Sequence, residues 1–206
     1  MGVADLTLYE IVGAYGTFAN KGIYTEPIFV EKIVDKYGNT ISKITPKQNE
    51  AMSEETAYLM VNLLENVVGG TRESGWGTAA SLRGSKYQLY GSIAGKTGTT
   101  NDHADGWFIG FTPELVTGIW VGAEERNVHF ESIEYGQGAR MALPIWGNYM
   151  IEVFKESEKL GYSKTATFEK PESVPYWKID CEEYKSRENQ NYQNNNTTSG
   201  QEENFY

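Results

Sequence analysis

The chain has 206 residues, 39% of them hydrophobic and 13% aromatic, with a formal net charge of −10. That is enough apolar material for one ordinary core or for part of a larger domain. It excludes a nucleic-acid surface, which needs a basic face, and no apolar run reaches the length of a bilayer-spanning helix. The start, Met1-Gly2-Val3-Ala4-Asp5, lacks the basic residues and apolar centre of a secretory signal. Cys181 is the one cysteine, so no internal disulfide and no cysteine zinc cluster can form.

In chain order, Asp5 to Asn20 reads as an amphipathic helix. Leu8, Ile11, Val12, Tyr15, Phe18 and Ala19 share one face, Asp5 or Thr7 caps the start, and Asn20-Lys21-Gly22 is the stop. Tyr24 to Val34 and Thr40 to Ile44 read as strands joined through Asp35-Lys36-Tyr37-Gly38-Asn39, with Gly38 as the left-handed residue. Ser53 opens a second helix with Glu54 and Glu55 at its positive end. Its buried stripe is Ala57, Met60, Val61, Leu64, Val67 and Val68, and Gly69-Gly70 ends it. Thr71 to Gly91 is rich in small residues and reads as irregular, with one short helix near Thr78–Leu82.

Three strands follow: Ser92 to Thr99, Trp107 to Thr112 and Leu115 to Gly122. The short turns between them predict antiparallel pairing. A last helix is expected from about Ala142 to Glu156, with Pro144 in its first turn and Ile145, Trp146, Tyr149, Met150 and Val153 as its apolar face. From Ser163 the chain turns polar, and Asn189 to Tyr206 is too poor in apolar residues to fold. The expectation is an α/β fold of the α+β type, an antiparallel sheet flanked by helices over residues 1–162, with a polar, disordered tail over 163–206.

The chemically dense stretch is Ala94-Gly95-Lys96-Thr97-Gly98-Thr99-Thr100. On a strand, alternation sends Lys96 and Gly98 to one face and Thr97 and Thr99 to the other. Lys96 brings positive charge, the two threonines bring hydroxyls that can hold a carboxylate, and Gly98 admits another backbone closely. A peptide with a free carboxylate could join this strand as an added strand. The plainer reading is a solvated edge strand whose lysine deters aggregation.

The neighbouring residues favour the first reading. Leu8-Tyr9-Glu10 with Ala14-Tyr15-Gly16-Thr17-Phe18-Ala19-Asn20-Lys21-Gly22, Ile93 to Thr100, Asp105 to Thr112, Thr117 to Gly122, and Gly136-Gln137-Gly138 with Ala142-Leu143-Pro144-Ile145-Trp146 stand in one order. Together they resemble the C-terminal half of the transpeptidase domain of class A, bifunctional penicillin-binding proteins. The resemblance implies part of the penicillin-binding, serine β-lactamase-like transpeptidase fold and part of a serine D,D-transpeptidase that cross-links peptidoglycan stem peptides. It implies that Lys96 holds the proton network and substrate carboxylate. Thr97, Gly98 and Thr99 would line the D-Ala-D-Ala or β-lactam site, and the Thr99 amide would be an oxyanion donor. Trp107, counted with the substrate-binding residues, would follow the loop that borders the cleft. It implies no metal or organic cofactor, and a parent anchored in the cytoplasmic membrane with this domain on the outer face, a glycosyltransferase domain upstream.

Two elements of that family are missing. No Ser-x-x-Lys occurs, since Thr40-Ile41-Ser42-Lys43 and Thr167-Phe168-Glu169-Lys170 begin with Thr. No Ser-x-Asn occurs, and Tyr192-Gln193-Asn194 lies in the polar tail. A covalent acyl-transfer enzyme needs a nucleophile beside its base, so the chain is expected to be half a site, inactive alone, cut from a longer protein. Exposed apolar surface would then favour self-association.

The alternatives are a non-catalytic binding module that retains the sheet, or a fragment of a β-lactamase-like serine hydrolase. Gly91-Ser92-Ile93-Ala94-Gly95-Lys96-Thr97 falls one residue short of a phosphate-binding loop and leads into a strand. A Ser-His-Asp hydrolase built on His103 lacks a Gly-x-Ser-x-Gly turn, and His103 and His129 alone are too few for a catalytic zinc.

Overall fold

In a computed structural model, residues 5–70, 75–180 and 182–189 are described. Cys181 lies outside them, as do residues 190–206, which include Tyr192-Gln193-Asn194 and all but the first residue of the stretch expected to be unfolded. The chain divides into two compact units, one ending at Glu169 and one beginning at Lys170. Seven residues assigned by composition to the tail, Ser163 to Glu169, therefore fall in the first unit. Phe168 draws them there, packing edge-on against Phe111 at 5.6 Å.

The first unit begins with α1 (Leu8–Ala19), whose N-cap Thr7 accepts from the Glu10 amide while the Glu10 carboxylate accepts from the Thr7 amide. This reciprocal box satisfies two of the helix's free N–H groups. Short strands β1 (Ile23–Thr25), β2 (Lys32–Val34), β3 (Thr40–Lys43) and β4 (Gln48–Glu50) follow. The continuous strand expected from Tyr24 to Val34 is broken. Pro27 has no N–H for a ladder, and β1 pairs with β4 whereas β2 pairs with β3. The β2–β3 hairpin turns as expected through Gly38 at φ +88°.

Next comes α2 (Glu54–Gly69), capped by Ser53 and ended at Gly70. Its buried face is Ala57, Val61, Leu64 and Val68, whereas Met60, expected inside, is exposed. A 3-10 turn at Ala80–Arg83 sits in the small-residue segment.

The central sheet has the order β5 (Ala94–Thr99), β6 (Asp105–Phe111), β7 (Val116–Gly122), antiparallel throughout. After α3 (Ile133–Gly136) comes α4 (Gly138–Lys155), and then one turn, α5 (Ser157–Leu160).

Helix α4 starts before Ala142, so Pro144 stands inside it rather than in its first turn. The missing N–H leaves the Arg140 carbonyl without its intrahelical donor, and exposed Arg140 can give that carbonyl to water. The buried face also differs from expectation. Ala142, Leu143, Trp146, Gly147, Met150 and Val153 point inward, while Ile145 and Tyr149 are exposed. Gly147 makes this possible, because Tyr87 fills the place where a Cβ would stand, 2.7 Å from its ring carbons.

Helices cover both faces of the sheet. On one face Trp146 packs edge-on to Phe108 at 5.3 Å, with Leu82, Leu89, Ile93 and Met150 around them. On the other, Val61, Leu64, Ala94 and Phe111 are buried beneath Tyr15 and Phe18. Each fully buried aromatic of this kind contributes about 3–5 kcal/mol relative to alanine.

The second unit is small. Tyr176–Lys178 forms a 3-10 turn, the Asp180 carboxylate accepts from the amides of Glu182 and Glu183, and residues 182–189 are helical. Trp177 stacks on Tyr184 at 6.1 Å.

Candidate active-site edge

The residues of Lys96-Thr97-Gly98-Thr99 form the last two-thirds of β5, the outer strand of the central sheet among the described residues. Its register with β6 sets Gly98 opposite Trp107 and Thr99 opposite Gly106. The Thr100 amide donates inward to the Asp105 carbonyl at 3.2 Å. Successive amides of a strand point to opposite edges, so the Thr99 amide faces outward. The Thr97 carbonyl faces outward too, and exposed Lys96 folds its ammonium back onto it at 2.8 Å. The outer edge thus offers backbone donors and acceptors at Thr97 and Thr99, with a flexible cation beside them.

The two hydroxyls are held from the other face. Thr97 Oγ1 lies 3.1 Å from Thr78 Oγ1. Thr99 Oγ1 accepts the Gly138 amide at 3.0 Å and keeps its own proton free to donate. That bond puts the N-terminus of α4, the positive end of its dipole, against Thr99. Lys96 adds a positive charge beside that end of the strand.

Close approach requires glycine at Gly138. A Cβ there would collide with the Gly98 carbonyl and stand 2.5 Å from that of Trp107. Gly106 likewise has Gly138 Cα 3.0 Å from where its Cβ would be.

Beyond Thr99 the turn is locked. The Asp105 carboxylate accepts from the Thr100 hydroxyl and, at 3.0 Å, from the Trp120 indole N–H. The Asp105 amide donates back to Thr100 Oγ1 at 3.1 Å. This closure starts β6 at Asp105, two residues before the strand expected at Trp107. Asp102 and His103 both take φ +57° in the turn between, a conformation costly for residues with a Cβ.

Lys96, Thr97, Gly98 and Thr99 are brought together as the sequence predicts. Trp107 stands apart from the edge. It is opposite Gly98 in the sheet, with its ring tilted against Trp120 at 6.3 Å, so it packs on the sheet face. Sequence reasoning gave Thr78, Thr100 and Asp105 no role, and gave Gly138 no contact. Gly138 lies 39 residues from Thr99, a separation with no local pattern. Only the paired glycines of Gly136-Gln137-Gly138 signalled it.

The edge is open. Neither of the two described cavities includes a β5 residue: one of about 210 Å³ lies between Phe18, Tyr58 and Phe168, and one of about 530 Å³ lies beside Phe130 and Tyr135. Among the described residues no serine–lysine pair faces β5 to complete a nucleophilic centre.

The family model for the penicillin-binding protein transpeptidase domain matches residues 1–140. Penicillin-binding protein 1A of Aquifex aeolicus is 36% identical over 150 residues, which are 73% of this chain and 19% of the relative. Penicillin-binding protein 1A of Neisseria gonorrhoeae is 32% identical over 166 residues, 78% of this chain and 19% of the relative. The chain therefore spans about a fifth of the length of the curated relatives it matches. Among solved structures, penicillin-binding protein 1A from Haemophilus influenzae superposes with a TM-score of 0.69 at 27% identity, over 83% of this chain and 29% of that one. Penicillin-binding protein A of Mycobacterium tuberculosis, in its penicillin G acyl-enzyme complex, gives 0.51 at 22% identity over 74% of this chain and 33% of that one, a likeness of fold.

Proposed function

The chain belongs to the penicillin-binding protein transpeptidase domain family, and from that premise we propose that it supplies the carboxylate-binding and oxyanion-binding wall of a serine D,D-transpeptidase. The observation that carries this reading is the outward edge of β5, where the Thr99 amide, the Thr97 and Thr99 hydroxyls and the Lys96 ammonium are available together. A stem peptide ending in D-Ala-D-Ala lies along that edge as an added strand. Its terminal carboxylate takes the two hydroxyls, drawn by Lys96 and by the α4 N-terminus.

The scissile carbonyl then sits at the Thr99 amide. When a serine oxygen adds to it, negative charge develops on the carbonyl oxygen, and a preoriented N–H stabilises that charge. The serine gives its proton to a neighbouring base. Collapse of the tetrahedral intermediate breaks the amide bond, a proton passes to the nitrogen, and D-Ala leaves. The acyl group next passes to an amine of a second stem peptide, or stays on the serine when the acyl donor is a β-lactam. No Ser-x-x-Lys or Ser-x-Asn occurs in these 206 residues, so the nucleophile and its base come from outside them.

Lys96 must leave the Thr97 carbonyl to meet the substrate, an exchange that costs little because both groups are exposed. Trp107 acts beneath Gly98, holding the strand rather than touching the peptide. The complete protein would work at the outer face of the cytoplasmic membrane, next to a glycosyltransferase domain. Among the described residues no helix is long and apolar enough to cross a membrane, so that anchoring would rest on other segments.

The test is an NMR titration of this chain with N-acetyl-D-Ala-D-Ala and with its C-terminal amide. Shifts of the Thr97 and Thr99 amides with the free acid, reduced at least about tenfold in affinity for the amide and for Lys96→Ala, support the reading. Equal binding of both peptides, or no shift at β5, overturns it. A covalent mark from a fluorescent penicillin on this chain alone would reveal a nucleophile within it and refute the half-site.

A further inference from the structure

The surface holds two exposed apolar patches of opposite charge, and we propose that they fit each other: the tip of the β2–β3 hairpin of one copy docks in the cleft beside Phe130 and Tyr135 of a second copy.

The hairpin is an arm. Every residue of β2 and β3 is exposed, with Tyr37 at 77%, Ile41 at 68% and Ile33 at 50% along the arm. It is basic in an acidic chain. Within it Lys32, Lys36 and Lys43 stand against Asp35 alone, with Lys47 just beyond, and Asp35 is tied up in its own turn. Its carboxylate accepts from the amides of Tyr37 and Asn39 and from the Asn39 side chain, bonds that hold it below the usual carboxylate range. No carboxylate among the described residues pairs with any of the four lysines. Lys32 and Lys43 are direct cross-strand partners, a like-charge pairing that weakens a ladder and that an acidic partner would relieve.

The occupant follows from charge. The lysines and exposed apolar side chains of the hairpin fit a partner that offers acid and apolar area together. Residues 123–135 of this chain do so. Glu124, Glu125, Glu131 and Glu134 are opposed only by Arg126, which lies 3.8 Å from Asp5. Val128, Ile133 and Tyr135 are exposed among them. The cleft there has a volume of about 530 Å³, apolar walls from Val121, Phe130, Tyr135 and Met141, and Glu134 and Arg140 lining it too. Lys36 rides on the Tyr37 ring, 4.9 Å from its centroid, so inserting Tyr37 carries a cation to Glu134. A knob meeting a pocket elsewhere on the molecule is a head-to-tail contact, which runs on from copy to copy unless rotation closes it.

Sedimentation velocity over a range of chain concentrations tests this, in low salt and in roughly half-molar sodium chloride, where surface charges are screened within a few ångströms. The expectation is concentration-dependent assembly, weaker in high salt. Tyr37→Ser, Lys36→Glu and Glu134→Lys should each weaken it at least about tenfold, as loss of an anchor residue does, and the Lys36→Glu/Glu134→Lys pair should regain most of the loss. A monomer at all concentrations overturns the proposal, as does assembly indifferent to these changes or a double variant no better than its parents. So does a chain that stays monomeric while co-sedimenting with phosphatidylglycerol vesicles through the same lysines, which would make the arm a lipid-binding element.

Discussion

The Gly138 amide donates to Thr99 Oγ1 at 3.0 Å, tying the first turn of α4 to the last residue of β5. One hydroxyl thereby serves two purposes: it satisfies a helix N-terminal amide, which has no partner inside its helix, and it fixes the rotamer of a proposed carboxylate ligand. Thr99→Val keeps the shape and removes the acceptor, leaving a part-buried N–H unsatisfied. The expected cost is about 1–3 kcal/mol in urea unfolding, against less than about 0.5 kcal/mol for Thr99→Ser, which keeps the oxygen. Equal stability of the two variants would show that water replaces the bond.

Gly138 itself offers a sharper contrast. A methyl group there meets the carbonyls of Gly98 and Trp107, backbone that cannot yield without parting β5 from β6. Gly138→Ala is expected to destabilise by about 3 kcal/mol or more. In α1, Gly16 has nothing within 4 Å of its missing Cβ, so Gly16→Ala should stabilise by about 0.5–1 kcal/mol through helix propensity. Thermal unfolding of the two variants beside the parent chain measures both signs at once.

Asp105 joins the turn after Thr99 to β7, accepting from the Thr100 hydroxyl and the Trp120 indole. Asp105→Ala removes both acceptors. The expected result is faster exchange of the Thr100 amide, which donates across the turn to the Asp105 carbonyl, by about tenfold or more if one such charge-assisted bond at about 1.5–3 kcal/mol is lost. Amides of α2 should be unchanged. A uniform rise across both elements would mean global destabilisation instead of a loosened turn.

Much of this architecture was legible because it is local. Ser53 before Glu54-Glu55, Gly69-Gly70 after Val68, and Gly38 in its turn carry their structural meaning in adjacent residues, and each element formed where that chemistry placed it. What escaped depends on distance. Strand β4 is Gln-Asn-Glu, with no apolar alternation to mark it, and exists because Ile23, Tyr24 and Thr25 pair with it. The α4 start was missed because Gly138 becomes helical through contact with Thr99 and Trp107, whereas Pro144 imitated a helix start. In the site, Lys96 to Thr99 were readable as a contiguous run. Asp105 was not, since a carboxylate near a turn acquires its role only when Trp120 arrives from the next strand.

One half-buried carboxyl lies outside the proposed chemistry. Glu65, on the inner side of α2, is half-buried, and desolvation pushes its pKa above the ordinary 4.5, opposed by a hydrogen bond from Ser92 and the charge of Arg83. A carboxyl whose pKa is higher folded than unfolded favours the folded state most when protonated. Its cost is therefore absent below pH 4.5 and grows as pH rises through the raised value. Glu65→Gln removes that ionisation. Arg83 stays satisfied, since its guanidinium also donates to the carbonyls of Leu89 at 2.8 Å and Gly91 at 2.7 Å. The variant should thus melt with the parent near pH 4 and on the order of 1–3 °C above it at pH 7, a modest shift because water screens the half-exposed group. A variant that melts below the parent at pH 7 would show the opposite balance: the Arg83 and Ser92 interactions would outweigh desolvation, and Glu65 would be a stabilising link between α2 and the segment leading into β5.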